Sequence, residues 1–348
     1  MSRVIVLSGG DSTEHEVSLA SGADVAESLA AHHRVMPIRI DRRGMWWMEG
    51  VDTAFTAADI LDELEPDDVV FPVLHGGWGE NGGLQHELEI RGIRHVGCSA
   101  AACRIGMSKL ATARAAARRG VPTIPTRVLH RSSYLADPDL RTSALARVAD
   151  WPLIVKPDAG GSSVGVAVVS SARELRAALD VAFALDPVVL LQPLVRGAEV
   201  SVGVWSGGDH ELRATGGSLV HLPAGESAFS YDHKYAGAGG WLEIPAAFPA
   251  PVLQQLQAAA LDVADAVGVA GLARIDFFVT ADEVVLNEIN TMPGLRRESH
   301  FPRLVRAAGT EYDELLDSLV RRAARGSGRA GGDRRTGLGI RTARTIGA

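Results

Sequence analysis

The sequence predicts an α/β protein of several domains, and three observations carry that prediction. Over residues 1–97 short apolar runs alternate with segments of helical periodicity, the pattern of a parallel sheet covered by helices. In the middle of the chain a loop rich in glycine and serine lies between two strands rather than between a strand and a helix. Near residue 280 two strands joined by a tight turn carry an arginine and three oxygen-bearing side chains at spacings that place all four on one face. With 348 residues, 46% of them hydrophobic, the chain is long enough for two or three domains with real cores.

Composition narrows the function classes. The formal net charge is −7, and the stretch 325–348 carries six Arg against one Asp, so the body is more acidic still. An acidic body argues against nucleic acid as a partner. Cys98 and Cys103 are too few for a disulfide framework and lack a second pair for zinc, which leaves buried thiols. The N-terminus runs straight into a strand with no secretory signal pattern, and no run approaches the roughly 18 apolar residues of a membrane span. A cytoplasmic protein with no membrane partner is expected.

Taken in order, 4–7 is a strand ending in Ser8-Gly9-Gly10, 16–31 a helix, 35–40 a strand, 57–64 a helix and 69–74 a strand. Ligands of such sheets sit beyond the carboxyl ends of the strands, where two loops fall: 9–16, with Glu14 and Glu16, and 75–83, which begins at His75. Glu16 is read as favourable charge at a helix N-terminus, stabilising by roughly 0.3 to 1 kcal/mol. The alternation changes character near Gly97, where a domain boundary is placed. A helix opens at Ser108-Lys109 and ends by Gly120, with Pro122 and Pro125 as stop signals.

The strand 152–157 delivers Lys156 into the loop 158–165, whose amides and hydroxyls suit phosphate but which would equally serve as a plain flexible hairpin. A helix over 172–184 and strands over 188–192 and 199–205 follow. The polar stretch 222–240, with Tyr231, Asp232, His233, Lys234 and Tyr235, is too long for a tight turn and reads as a functional loop or lid. Helices are expected over 251–267, 297–308 and 312–324, and a disordered basic tail over 325–348.

The hairpin lies between these helices. Glu288 and Asn290 are two apart on one strand, and Arg274 and Asp276 two apart on the other, with 280–283 as the turn. Two acids and an amide make an oxygen-rich site for magnesium, which leaves its remaining positions to water and phosphate oxygens. A solvated edge hairpin would show the same pattern.

Six motifs carry a resemblance: GGDSTEHEVSL (9–19), LHGGWGENGGLQ (74–85), SKLAT (108–112), VKPDAGGSSVGV (155–166), YDHKY (231–235), and RID with NEINTMPG (274–294). Together, over residues 1–324, they resemble the ATP-grasp superfamily and, within it, the D-alanine--D-alanine ligase family. The resemblance implies a three-domain ATP-grasp fold: a Rossmann-like parallel sheet domain (1–97), and two α+β units (98–187 and 188–324) sandwiching ATP. It also implies a homodimer.

The implied reaction has two steps. ATP phosphorylates the carboxylate of one D-alanine, and the amine of a second attacks the acyl phosphate. Asp276, Glu288 and Asn290 would hold magnesium, two ions or manganese in its place. Lys109, Lys156 and Ser163 would bind phosphate, Gln192 the adenine amino group and Glu199 the ribose. Glu14 and His75 would receive the first substrate, Lys234 and Ser299 the carboxylate of the second. Arg274 and the amide of Gly294 would stabilise the tetrahedral intermediate, and Tyr235 would link to Glu14 through Ser162.

Three positions depart from the family. Asn81 follows Glu80 where an acid is usual, Gln192 stands where an acid commonly accepts from adenine, and 295–298 reads Leu-Arg-Arg-Glu before Ser299. Arg296 and Arg297 would either attract an extra carboxylate or form surface salt bridges. The competing readings are a related ATP-grasp ligase of specialised metabolism with a different second substrate, and a catalytically silent nucleotide-binding module. The latter is disfavoured because the acids, the lysines and Arg274 are all in place.

Overall fold

The computed structural model describes residues 2–161, 163–221 and 241–326. The first sheet is built from β1 (Arg3–Gly9), β2 (Arg34–Ile40), β3 (Trp46–Met48), β4 (Val69–Val73) and β5 (Arg94–His95), in the order β3-β2-β1-β4-β5. All its pairs are parallel except β2 with β3. Residues Val4 to Leu7 of β1 and the apolar residues of β4 are buried, as strands covered on both faces must be. The helices here are α1 (His15–Leu29), α2 (Ala57–Leu61), α3 (Gly77–Glu80) and α4 (Gly83–Ile90). The loop expected over 75–83 therefore contains α3 and runs into α4. At the first turn Gly9 has φ +97°, and a Cβ there would lie 2.1 Å from the Ile40 carbonyl oxygen, so glycine is required.

After α5 (Ala100–Met107) and α6 (Lys109–Ala117) comes the second sheet, four antiparallel strands in the order β6-β9-β7-β8: β6 (Arg127–His130), β7 (Leu153–Pro157), β8 (Ala167–Val169) and β9 (Val188–Pro193). Helices α7 (Arg131–Leu135), α8 (Pro138–Arg147) and α9 (Ala172–Leu185) accompany it. Tyr134, Leu175, Leu179 and Phe183 close its core against Val155, Val189 and Leu191.

The third sheet contains β10 (Ala198–Ser206), β11 (Leu212–Ala214), β12 (Ser218–His221), β13 (Trp241–Glu243), β14 (Leu272–Val279) and β15 (Val284–Asn290), with β13-β12-β10-β14-β15 as its path and β11 beside β10. Among the described residues, helices α10 (Ala250–Val267), α11 (His300–Ala307) and α12 (Tyr312–Ala324) follow. Two cores tie distant parts of the chain together. Cys98, Ala102, Cys103 and Ala116 pack in one cluster with α10 and the strands of the third sheet, so α5 and α6 share that sheet's core rather than the second sheet's. Leu315, Leu316, Leu319 and Val320 of α12 pack with Val4, Val6, Phe71 and Val73 of the first sheet.

Both thiols are free and buried. Burial pushes Cys98 up to about 11 and raises Cys103 as well, so neither forms the nucleophilic thiolate at neutral pH. Iodoacetamide is expected to leave both unmodified in the native protein and to label both after denaturation. Rapid labelling of native protein, read by mass spectrometry, would contradict this burial.

Candidate active site

A cleft between the second and third sheets is lined by Lys109, Lys156, Ser163, Gln192, Glu199 and Glu288. Counted out to open solvent, its space is about 900 Å³. All five residues expected to hold the nucleotide thus line one cavity, together with one expected metal ligand. Gln192 donates from Nε2 to Thr126 Oγ1 at 2.8 Å, so its Oε1 can serve only as an acceptor, the role an exocyclic amine would need. An amide can therefore stand where the family commonly has an acid.

Two lysines stand at one end of the cleft. Lys109 Nζ donates to the Gly160 carbonyl at 2.7 Å and lies 3.8 Å from Glu288 Oε2. Lys156 is 6% exposed, with Nζ 3.4 Å from Asn287 Oδ1. Burial lowers its pKa to about 8, and attraction to Glu288 offsets part of that shift. An entering anion restores what burial removed, so the charged form of Lys156 favours phosphate.

Antiparallel pairing of β14 and β15 sets Arg274 opposite Asn290 and Asp276 opposite Glu288, so the four side chains share a face. The register then shifts, and Phe277 pairs with Leu286, which leaves Asn287 as the extra residue of a bulge. Arg274 grips both Asp276 oxygens, from Nε and Nη2, each at 2.8 Å, and Ser201 Oγ donates to Asp276 Oδ1 at 2.6 Å. Three acceptor positions of that carboxylate are engaged in this way, so Asp276 can enter a metal shell at most as a monodentate ligand. Asn290 Oδ1 accepts from Met292 N at 2.8 Å, which fixes the amide. The set holds neither thiolate nor imidazole, and its hard oxygens fit a magnesium-class cation.

The N-terminal loops meet this face. His75 follows β4 and is buried, with Nδ1 3.0 Å from the Met292 carbonyl and Nε2 without a hydrogen-bond partner among the described residues. A buried orphan nitrogen calls for a ligand. Burial lowers the His75 pKa while Glu14 opposes the shift, so a substrate carboxylate at Nε2 would bind with uptake of a proton. Glu80, which the sequence reading left without a role, accepts from Gly76 N at 2.8 Å. Burial pushes its carboxyl up to about 7, with Glu14 and Glu288 adding to the shift and Arg274 opposing it. Its signal was present as an acid inside a glycine-rich loop at a strand end. Asn81, the departure beside it, accepts from Gly83 N at 2.9 Å and so orders the start of α4. Glu16 is exposed and 3.3 Å from Arg42, a surface role.

At the far end a Cβ on Gly294 would lie 3.2 Å from Ser299 Oγ, which brings these two residues together. Ser299 occupies the N-cap of α11, yet its side chain makes no capping hydrogen bond. The neighbouring arginines divide. Arg297 Nη2 is 3.1 Å from Asp313 Oδ1, and its guanidinium lies 4.5 Å from the centre of the Tyr312 ring, so it serves the surface. Arg296 is exposed. Ser162, Lys234 and Tyr235, and with them the expected link to Glu14, lie outside the described residues, as does the tail from residue 327.

The D-ala D-ala ligase N-terminus model matches residues 3–60 and 52–98, and the D-ala D-ala ligase C-terminus model matches 116–321. The D-alanine--D-alanine ligase of Corynebacterium urealyticum is 35% identical, with 92% of this chain and 98% of that protein covered. That of Deinococcus radiodurans is 35% identical, with 91% and 97% covered. Among solved structures, the VanG D-Ala:D-Ser ligase from Enterococcus faecalis superposes with a TM-score of 0.79 at 27% identity, covering 92% of this chain and 99% of that one. The D-alanine-D-alanine ligase from Coxiella burnetii superposes with 0.77 at 28%, covering 93% and 96%. Motif order, the ATP-grasp arrangement of the sheets and full-length similarity agree: the chain belongs to the D-alanine--D-alanine ligase family of ATP-dependent ligases.

Proposed function

We propose that this protein joins two D-alanines into D-alanyl-D-alanine for peptidoglycan precursors. The observation that carries the reading is the shared face of Arg274, Asp276, Glu288 and Asn290 beside a cleft lined by both lysines. A donor carboxylate oxygen attacks the terminal phosphorus of ATP, which releases ADP and leaves an acyl phosphate. The amine of the second D-alanine then attacks that carbonyl, loses a proton and expels phosphate.

Each residue has a part in this scheme. Lys109, Lys156 and Ser163 hold phosphate oxygens, Gln192 takes the adenine amine and Glu199 the ribose. Glu14 pairs with the donor ammonium and His75 with its carboxylate. Arg274 and the Gly294 amide receive the charge that develops on the tetrahedral oxygen. Ser299, with Lys234, takes the acceptor carboxylate, and Tyr235 and Ser162 connect to Glu14 and exclude water. Asp276, Glu288 and Asn290 would hold magnesium, as two ions or with manganese in its place, which would neutralise phosphate charge. We further assign a cytoplasmic homodimer with units 1–97, 98–187 and 188–324.

Phosphate release with ATP, magnesium and a panel of D-alanine, D-serine and L-amino acids tests the reading, with the dipeptide identified by mass spectrometry. D-alanine alone is expected to stimulate turnover and to yield the homodipeptide. No stimulation by D-alanine would overturn the proposal, and stimulation only in the presence of a second amino acid would reassign the acceptor.

A further inference from the structure

Asp158 follows directly on β7, the strand that carries Lys156, and none of the roles above uses it. Its Oδ2 accepts from Ser108 Oγ at 2.6 Å, its Oδ1 from Leu110 N at 2.8 Å, and its own carbonyl from Lys109 N at 3.1 Å. One residue of the second sheet's loop therefore grips three successive residues at the start of α6. That helix is held on the other side, because Ala116 lies in the core built on the third sheet.

The grip lies beside the nucleotide cleft, whose lining includes Lys109, Pro157 and Ala159. It joins the two elements that supply the two lysines: β7 with Lys156 and α6 with Lys109. Lys109 Nζ returns to the same loop at the Gly160 carbonyl, which closes a ring of contacts from 108 to 160. The next residue is pinned as well, since Ala159 N donates to Asp186 Oδ2 at 2.8 Å. A Cβ on Gly160 or Gly161 would meet nothing within 4 Å.

We propose that Asp158 is a positioning residue for nucleotide binding, which sets Lys109 and Lys156 in register across the cleft by fastening the start of α6 to the end of β7. The inference rests on the reading of those lysines as phosphate ligands. Only a carboxylate accepts at both ends here, from a hydroxyl and from a helix N-terminal amide. Asparagine keeps one acceptor and turns an NH2 group towards Ser108 Oγ, which already accepts from Ala111 N at 3.0 Å.

The test is a double-mutant cycle of Asp158→Asn and Lys109→Ala on the full chain, read as the KM for ATP, the KM for D-alanine and kcat. Asp158→Asn is expected to raise the KM for ATP about tenfold and leave that for D-alanine within about twofold, whereas in the Lys109→Ala background it adds less than about twofold. Additive effects, or equal rises in both KM values, would overturn the positioning role, because a merely structural contact predicts them. If Lys109→Ala raises the KM for ATP and Asp158→Asn does not, the lysine assignment stands and this inference falls. If Lys109→Ala has no effect, both fall. Should Asp158→Asn not fold, Ser108→Ala removes the bond to Asp158 together with the helix cap to Ala111 N, and is expected to shift the KM for ATP alone in the same direction by about threefold.

Discussion

Replacing Arg274 with alanine lowers kcat by about 10²- to 10³-fold, the loss expected when one donor to a developing oxyanion is removed. Because that interaction strengthens only as charge develops, kcat and kcat/KM fall together while the KM for ATP changes little. The substitution has a second effect. Asp276 is 4% exposed and loses the bidentate partner at 2.8 Å, so stability drops by about 3 kcal/mol, the cost of stranding a buried charge. Lysine does not rescue either property, since a single ammonium cannot meet both carboxylate oxygens in one plane. Steady-state kinetics and thermal melts measure the two effects separately, and an Arg274→Ala enzyme with full turnover would remove this residue from the mechanism.

Lys156→Met separates binding from folding in the opposite direction. A lysine whose pKa falls from 10.5 to about 8 in the fold costs about 3 kcal/mol at neutral pH, at about 1.4 kcal/mol per pH unit. The sign follows from proton counts. Between pH 8 and 10.5 the unfolded chain binds the proton and the folded one does not, so the cost is full below about 8 and relieved as pH rises through that window. Methionine fills the same space without charge, so the empty protein gains about 1 to 3 kcal/mol at neutral pH while turnover falls at least about 100-fold. In the unsubstituted enzyme kcat/KM for ATP declines as pH rises through about 8, when Lys156 loses its proton. A melting temperature below that of the unsubstituted protein, or unchanged turnover, would contradict the assignment.

The hairpin was legible because its information is local. A period of two and a four-residue turn, closed by Thr280 N donating to the Glu283 carbonyl at 3.0 Å, are properties of neighbours in sequence. Its bulge was not, since Asn287 becomes the extra residue only against Asp276 and Phe277 on the other strand. The same division runs through the site. Lys156 and the glycine loop announce themselves, whereas the orphaned Nε2 of His75 arises from burial and from a carbonyl 217 positions away. Strand β3 has three residues, too few to show a period, and it depends on β2 for its pairing. Helix α4 hid behind the glycines of its loop, which suggest turn before they suggest helix. Arg297 carried two readings until Asp313 and Tyr312 were brought beside it by the fold.

The shared core of the first sheet and α12 has a consequence for how the chain is made. Val4, Phe71 and Val73 leave the ribosome early, but Leu315, Leu319 and Val320, which cover them, emerge late. Ser28 and His33 wait for the same helix, bonded to Asp313 at 2.6 Å and to Asp317 at 2.9 Å. At about 5 to 20 residues per second the apolar face of the nascent sheet stays uncovered for roughly 12 to 50 s of synthesis. Synthesis that stops short of residue 312 would release a polypeptide with most of its catalytic groups and an open first core. A chain cut short before α12 cannot seal the sheet it began with.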